Sequence, residues 1–545
     1  MARSTEHYGG SAGLVAATAL LLVVGYLVMV RYVPPDPQSA TANPRTFSAL
    51  RALPILEDLT GDGIPHPVGS AHHDVVRDRI VRHFESFGYT PEIQRATIET
   101  RSGPREISNI IARIRGMIPG EAVVLVSHYD SVTEGPGASD AGVCVATILE
   151  IARMLNQDTP PLNDIIFLVT DAEEYGLLGA RLFVEEYDLP RDAVVINLEA
   201  RGTSGPSIMF ETSDESGWLI DIFAAVVEQP VTNSLFYEIY RRMPNDTDFT
   251  IFKRNGFEGL NFAFIGEGEN YHTSRDDFGN VTLSSFQHHG DNALALLRML
   301  GWSDLSDRES GRHVYFDLLG LTVVKWPEIQ TLRYALFGVL LLLLALLKLH
   351  REEMIDPSGV LAACVLWIIL LAGGILLGWG LDRLLVQLGV ITSQWMDGAI
   401  YIIFAFWLLP LFWAFLVVPR LGQKMGITSI WEMWLGTWLW WTILSLLCGI
   451  IAPGVSYLFL APALAASAIG ALAAILLVHR TGLGGYVTAV ISAVFAAAIW
   501  LPIEFILYDA LGFSANILLA VKATMVMLLL TPLMIRVQPW QKARR

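Results

Sequence analysis

Two adjacent carboxylates, Glu173 and Glu174, lie in Asp171-Ala172-Glu173-Glu174-Tyr175-Gly176, directly after an apolar, strand-like run at 165–170. Upstream stand His128-Tyr129-Asp130 and Ser139-Asp140-Ala141-Gly142; downstream stand Glu199 and Tyr271-His272. Imidazoles and carboxylates are the ligands of hydrolytic zinc, which keeps one position open for water. Two such ions a few ångströms apart clamp the attacking and departing oxygens of one reaction. A carboxylate must then bridge them, other ligands must complete each ion, and a free carboxylate must take the water's proton. The residue types present suffice for every part.

His128 follows the strand expected at 122–127 and is a natural ligand. Asp130, two residues on, is expected to accept a hydrogen bond from that imidazole and fix its tautomer. Asp140 sits in a glycine-rich loop opening a helix expected at 143–155. Aspartates there commonly cap helices, but the flanking glycines and the nearby His-x-Asp favour a bridging carboxylate. Neighbouring side chains point in different directions, so one member of the Glu173-Glu174 pair can bind metal while the other faces the water and accepts its proton. The ordinary alternative is a solvated acidic turn, against which the six-residue apolar lead-in argues. Glu199 and His272 are unremarkable alone and gain weight only from the set. His72-His73 and His288-His289 lack carboxylates at ligand spacing.

The elements that must position these groups are strands at 122–127, 165–170, 194–198 and 260–265, alternating with helices at 74–87, 143–155 and 218–227. That alternation predicts an α/β domain with a mainly parallel central sheet flanked by helices. Ligands bind such sheets beyond the carboxyl ends of the strands, where His128, Asp130, Glu173, Glu174 and Glu199 would collect.

The rest of the chain has a different solvent. Of 545 residues 53% are hydrophobic, the excess lying in long runs, and the net charge of -16 speaks against a nucleic-acid partner. The three cysteines, Cys144, Cys364 and Cys448, make no readable disulfide framework or thiolate site. Residues 1–12 are expected to be a cytoplasmic amino terminus and 13–33 a signal-anchor helix, a cleaved signal peptide being the alternative. A catalytic domain at 45–300 and a connector at 301–332 follow. An all-α multispan transmembrane domain occupies 333–536 with about seven helices, at 334–348, 359–380, 399–418, 433–452, 455–478, 486–508 and 515–535, before a basic cytoplasmic tail at 537–545. Alternate loops carry Lys348 and Arg351, Arg420 and Lys424, Arg480, and Arg536 with the terminal Lys542, Arg544 and Arg545. Placing this basic set in the cytoplasm puts the catalytic domain on the extracytoplasmic side, periplasmic or luminal, of a multi-pass integral membrane protein. Glu504 and Lys522 fall inside apolar runs, where charges are costly. The tryptophans at 431, 434, 438, 440 and 441 fit an interfacial belt or helix packing. The lipid bilayer is thus one expected partner, and the transmembrane domain offers a route to oligomers.

The order His-x-Asp, Ser-Asp-x-Gly, Glu-Glu, acidic residue, His resembles the di-zinc exopeptidases of the aminopeptidase and glutamate carboxypeptidase superfamily over about residues 60–300. The resemblance implies two Zn2+ per chain. One site would be His128, Asp140 and Glu199, the other Asp140, Glu174 and His272, with Glu173 as general base. It also implies a peptide substrate, with Tyr271 polarising the scissile carbonyl and Asn245 and Asp246 lining the substrate site. Aminopeptidase action leads; carboxypeptidase or dipeptidase action, or a binding, scaffold or transport-coupled protein reusing the fold, are the alternatives. Anchor, peptidase and multispan tail together, with His66-Pro67-Val68-Gly69-Ser70, look like the endoplasmic reticulum metallopeptidases. Many soluble members have Asp where Glu199 stands, whereas Glu occurs in the membrane-anchored branch. Glutaminyl cyclases share the fold but work with one zinc, and the five ligand positions filled here favour two.

Overall fold

The computed structural model describes residues 5–100, 103–306, 308–396, 398–478 and 483–535. The chain divides into two compact units, one of Arg31–Pro327 and one of Met1–Val30 with Glu328–Arg545.

The Arg31–Pro327 unit is built on a seven-stranded sheet. Its strands are β1 (Glu92–Thr100), β2 (Gly103–Ile114), β3 (Ala122–His128), β4 (Asp164–Thr170), β5 (Val194–Ala200), β6 (Ile208–Thr212) and β7 (Glu258–Phe264), in the spatial order β1-β2-β4-β3-β5-β7-β6. The four central strands, β4-β3-β5-β7, are parallel. The outer pairings, β1 with β2, β2 with β4, and β6 with β7, are antiparallel, so the sheet is mixed. Every residue of β3, β4 and β5 is buried, as expected of parallel strands covered on both faces. Alternate residues feed two cores. Val123, Leu125, Phe167 and Ile196 pack with helices Ala49–Thr60, Ala71–Ser86, Cys144–Leu155 and Leu283–Trp302. Val124, Val126, Leu168 and Val195 pack with Leu178–Glu186 and Asp248–Arg254.

The four expected strands are the four central ones. The β1–β2 hairpin and β6 were not expected: β1 and β2 interleave polar residues such as Gln94, Arg95, Ser108 and Asn109 with their apolar ones, and β6 is only five residues long. A second sheet, β8 (His313–Asp317) with β9 (Val323–Pro327), lies in the stretch expected to be a connector and packs on the domain. Ser234 Oγ donates to the Tyr315 carbonyl at 3.1 Å and the Thr232 N–H to Asp317 at 3.0 Å. Arg31 and Tyr32, the first residues of this unit, are held at the same place. Arg31 donates to the carbonyls of Leu319 and Gly320 at 3.4 and 3.3 Å, and the Tyr32 hydroxyl hydrogen-bonds Asp317.

In the other unit, six helices among the described residues are long and apolar enough to cross a membrane by length and composition: Glu328–Arg351, Pro357–Gln387, Ala399–Lys424, Ile430–Ile451, Tyr457–Ile475 and Gly484–Leu528. The apolar segments expected at 486–508 and 515–535 meet in the last run, which a short turn at Gly512–Ala515 divides. Trp434, Trp438 and Trp441 are fully buried, so these three pack between helices. The Ile430–Ile451 helix starts with a capping box in which Ser429 and Glu432 satisfy each other's backbone. Lys522 is buried; the side chain of Glu504 and the tail at 537–545 lie outside the described residues.

Candidate metal centre

The carboxyl ends of the parallel strands bring the carboxylates and imidazoles together. His128 is the last residue of β3, Glu199 the penultimate residue of β5, and the Glu173-Glu174 pair follows β4 by three residues. His272 arrives on the loop after β7 with a left-handed backbone (φ 56°), a conformation that a histidine holds only where its surroundings impose it.

Asp140 lies at the centre. Its Oδ1 is 3.3 Å from His128 Nε2 and its Oδ2 is 3.2 Å from His272 Nε2. On one side Glu199 Oε2 lies 3.6 Å from His128 Nε2. On the other, Glu174 Oε1 lies 3.0 Å from His272 Nε2. Donor atoms of His128, Asp140 and Glu174 all fall within 4.8 Å of one another. The chain at Asp140 is bent out of helical geometry (φ -107°, ψ 88°), and the helix behind it is not capped by its carboxylate.

The bend has its own supports. Gly137 has φ 65°, and a Cβ there would lie 2.5 Å from the Asp140 carbonyl oxygen. The Asp276 carboxylate accepts the N–H of Ser139 at 2.7 Å and of Asp140 at 3.1 Å. Sequence reasoning missed Asp276; its only signal was the acidic pair Asp276-Asp277 close after His272.

The structure changes the expected role of Asp130. The His128 Nδ1 contact is to the Asp130 backbone carbonyl, at 3.0 Å, while the carboxylate lies at 3.6 Å. The carboxylate instead accepts the N–H groups of Glu173 and Glu174, at 2.9 and 3.2 Å. Ala172 explains this: its left-handed backbone (φ 58°) turns the chain so that two successive N–H groups converge on one acceptor. Behind them Asp171 accepts from His73 Nε2 at 2.8 Å, the Ser108 N–H at 2.8 Å and the Tyr129 hydroxyl at 3.1 Å. His73 therefore serves the site from behind.

Tyr271 stacks on His272 with ring centroids 3.7 Å apart, and the Arg201 guanidinium lies 5.9 Å from its ring centroid. Asp246, expected with Asn245 to line the substrate site, is exposed and paired with Arg254 at 3.2 Å. Two residues on, the same segment delivers Asp248, which is fully buried and accepts a hydrogen bond from Thr170 at the end of β4. Its other oxygen is buried without a hydrogen-bond partner among the described residues. A charged residue opening a short helix gives little sequence signal of burial.

The electrostatics match a cation site. Burial drives the Glu173 pKa well above the carboxylate range, with His128 opposing and Glu199, Asp248 and Glu174 adding to the rise. Burial and Asp140 push Glu174 to about 7. Burial, with Glu199 and Asp130, lifts Asp248 to about 7. Burial alone would lower the histidines. The nearby carboxylates of Asp130, Asp140 and Glu199 instead raise His128 well above the usual range, and those of Asp140 and Glu174 raise His272 to about 10. The carboxylates of Asp140, Glu174 and Glu199, with Glu173 and Asp248 beside them, outweigh two imidazoles. This donor set of nitrogen and oxygen atoms fits divalent cations such as zinc.

Fold and site together define a metallohydrolase-type centre, with ligands at the carboxyl edge of a mixed α/β sheet. Residues 109–297 match the model of Peptidase family M28, and the chain thus carries a domain of that family. The chain is 30% identical over 365 residues to endoplasmic reticulum metallopeptidase 1 of Mus musculus, covering 59% of this chain and 40% of the relative. It is 30% identical over 264 residues to a vacuolar membrane protease of Candida albicans, covering 47% and 30%. The matches thus span less than half the length of these relatives. Among solved structures, a glutaminyl cyclase of Porphyromonas gingivalis is 24% identical with a TM-score of 0.39, covering 46% of this chain and 98% of that one. A zinc aminopeptidase from Bacillus subtilis is 16% identical with a TM-score of 0.39, covering 48% and 97%.

Proposed function

We propose that the chain is a membrane-anchored, zinc-dependent exopeptidase, an aminopeptidase, that hydrolyses peptides on the extracytoplasmic side of its membrane. One observation carries the reading: the two oxygens of Asp140 each face a different histidine, at 3.3 and 3.2 Å, and each histidine has a further carboxylate beside it. A bridging carboxylate between two three-residue sites has this form. His128, Asp140 and Glu199 would hold one zinc, and Asp140, Glu174 and His272 the other. Bound there, the pair supplies Lewis-acid polarisation of the scissile carbonyl and acidifies the attacking water.

Glu173 takes the proton from that water and passes it to the leaving amine. Asp130 holds the Glu173 backbone through its N–H, at 2.9 Å. Tyr271, stacked on His272, would donate to the oxygen of the scissile carbonyl. Aminopeptidase specificity rests on the resemblance of the motif order to the di-zinc exopeptidases.

The test is metal analysis of the purified full-length protein beside a panel of peptides with free, amino-blocked and carboxyl-blocked termini. Two zinc ions per chain, with cleavage that requires a free amino terminus, is the expected result. Cleavage confined to amino-blocked peptides would replace aminopeptidase with carboxypeptidase action, and a metal content near zero would remove the hydrolytic reading.

A further inference from the structure

Two asparagines face each other inside the sheet. Asn197 on β5 and Asn261 on β7 are in register, and both side chains are completely buried. Buried amides are costly unless their hydrogen bonds are made. Asn197 Nδ2 donates to Glu199 Oε1 at 3.0 Å and to Asn261 Oδ1 at 2.9 Å. Asn261 Nδ2 donates to Glu211 Oε2 at 3.1 Å and to Thr247 Oγ1 at 2.9 Å. Glu211, buried on β6, receives Lys253 Nζ on its other oxygen at 3.2 Å. An unbroken line of hydrogen bonds thus crosses three strands, from Lys253 to Glu199.

The orientation of Asn197 follows from chemistry. Both partners of its Nδ2 are acceptors, and a carbonyl turned toward the Glu199 carboxylate would be repelled. The amide keeps this orientation although its own carbonyl oxygen is buried without a partner among the described residues. Asn197 and Glu199 are two residues apart on one strand and project from the same face. The amide occupies Oε1 of Glu199 and leaves Oε2 as the oxygen facing His128, at 3.6 Å. Glutamate has one more rotatable bond than aspartate, so an unheld Glu199 would have more conformations in which Oε2 points elsewhere.

We propose that Asn197 is a positioning residue that fixes Glu199 as a one-oxygen ligand on the His128 side of the centre, and that Asn261, anchored by Glu211 and Lys253, holds Asn197 in place. The proposal rests on the reading of Glu199 as a metal ligand. The amide line is what lets the longer carboxylate do a ligand's work without the freedom its length would give.

The experiment uses the full chain in detergent: wild type, Asn197→Leu, Asn261→Leu, Glu199→Asp and the Asn197→Leu/Glu199→Asp double variant. Zinc retention against a competing chelator, the visible absorption of the cobalt-loaded protein, and kcat and KM are measured. Asn197→Leu is expected to weaken one of the two metal sites about 10–100-fold, alter the cobalt spectrum, and lower kcat with little change in KM. Asn261→Leu, one bond further from the ligand, should give a smaller change of the same kind, and it supplies the reading if Asn197→Leu does not fold. The double variant should bind metal no more weakly than Glu199→Asp alone, because two residues acting through one contact are not additive. Unchanged affinity and cobalt spectrum in a folded Asn197→Leu or Asn261→Leu protein, or strict additivity in the double variant, would overturn the proposal. A wild type that binds no divalent metal would instead remove the reading beneath it.

Discussion

At the scale of single residues, the neighbours Glu173 and Glu174 have different surroundings, which suit the different tasks proposed for them. Glu174 points at His272 and shares the Asp140 side of the centre, at 3.0 Å. Glu173 lies in the field of His128, Glu199 and Asp248. Their backbones hang from one acceptor, Asp130, so the two carboxylates diverge from a common support. Glu173→Gln should therefore keep its zinc while turnover falls by about 10²–10⁴-fold, the usual worth of a general base; metal content and steady-state rates on one preparation check this. Glu174→Ala and His272→Ala should lose zinc as well as turnover. A Glu173→Gln protein with normal hydrolysis would reassign the base.

At the scale of elements, the central strands were legible because parallel strands buried on both faces read as unbroken apolar runs, and the candidate site residues sit where those runs stop. His128, Glu173, Glu174 and Glu199 were found that way. Their supports were not. Asp276, Asp248, His73, Asn197 and Asn261 are polar residues that each have a partner 60 or more positions away, and no local pattern marks them. Helix Leu283–Trp302 gives a further case: His288 and His289 show no ligand spacing, yet both are buried. His288 accepts the Ser207 N–H at 3.1 Å and donates to the Gln229 carbonyl at 2.9 Å, which fixes it as a neutral tautomer. Burial lowers their pKa values to about 4 and about 3, against 6.5 for a free imidazole. Below pH 6.5 the unfolded chain gains protons that the folded one refuses. Stability should therefore fall as pH drops from 6.5 toward 4, by up to about 1.4 kcal/mol per pH unit for each histidine. Thermal unfolding across that range, with His288→Asn and His289→Gln compared to wild type, should show the acid sensitivity reduced in each variant.

At the scale of the whole molecule, the basic residues at the ends of alternate helices, Lys348 and Arg351, then Arg420 and Lys424, support a cytoplasmic face. Arg383, near the end of the helix between them, stands alone. If residues 516–535 complete a crossing after the turn at Gly512–Ala515, both chain ends lie inside. Reporter fusions should then be active as cytoplasmic markers at residue 545 and as external markers in the 388–398 loop; an external carboxyl terminus would instead match six crossings after the domain. The chain leaves the Arg31–Pro327 unit at two places that adjoin, because Arg31 and Tyr32 are hydrogen-bonded to residues 317–320 just ahead of β9. A protease that nicked the stretch between Pro34 and Arg45 would therefore set nothing adrift. The severed leader would stay clasped by Asp317 and Gly320, and the body of the domain would still be moored through Pro327. Shedding would take a second cut.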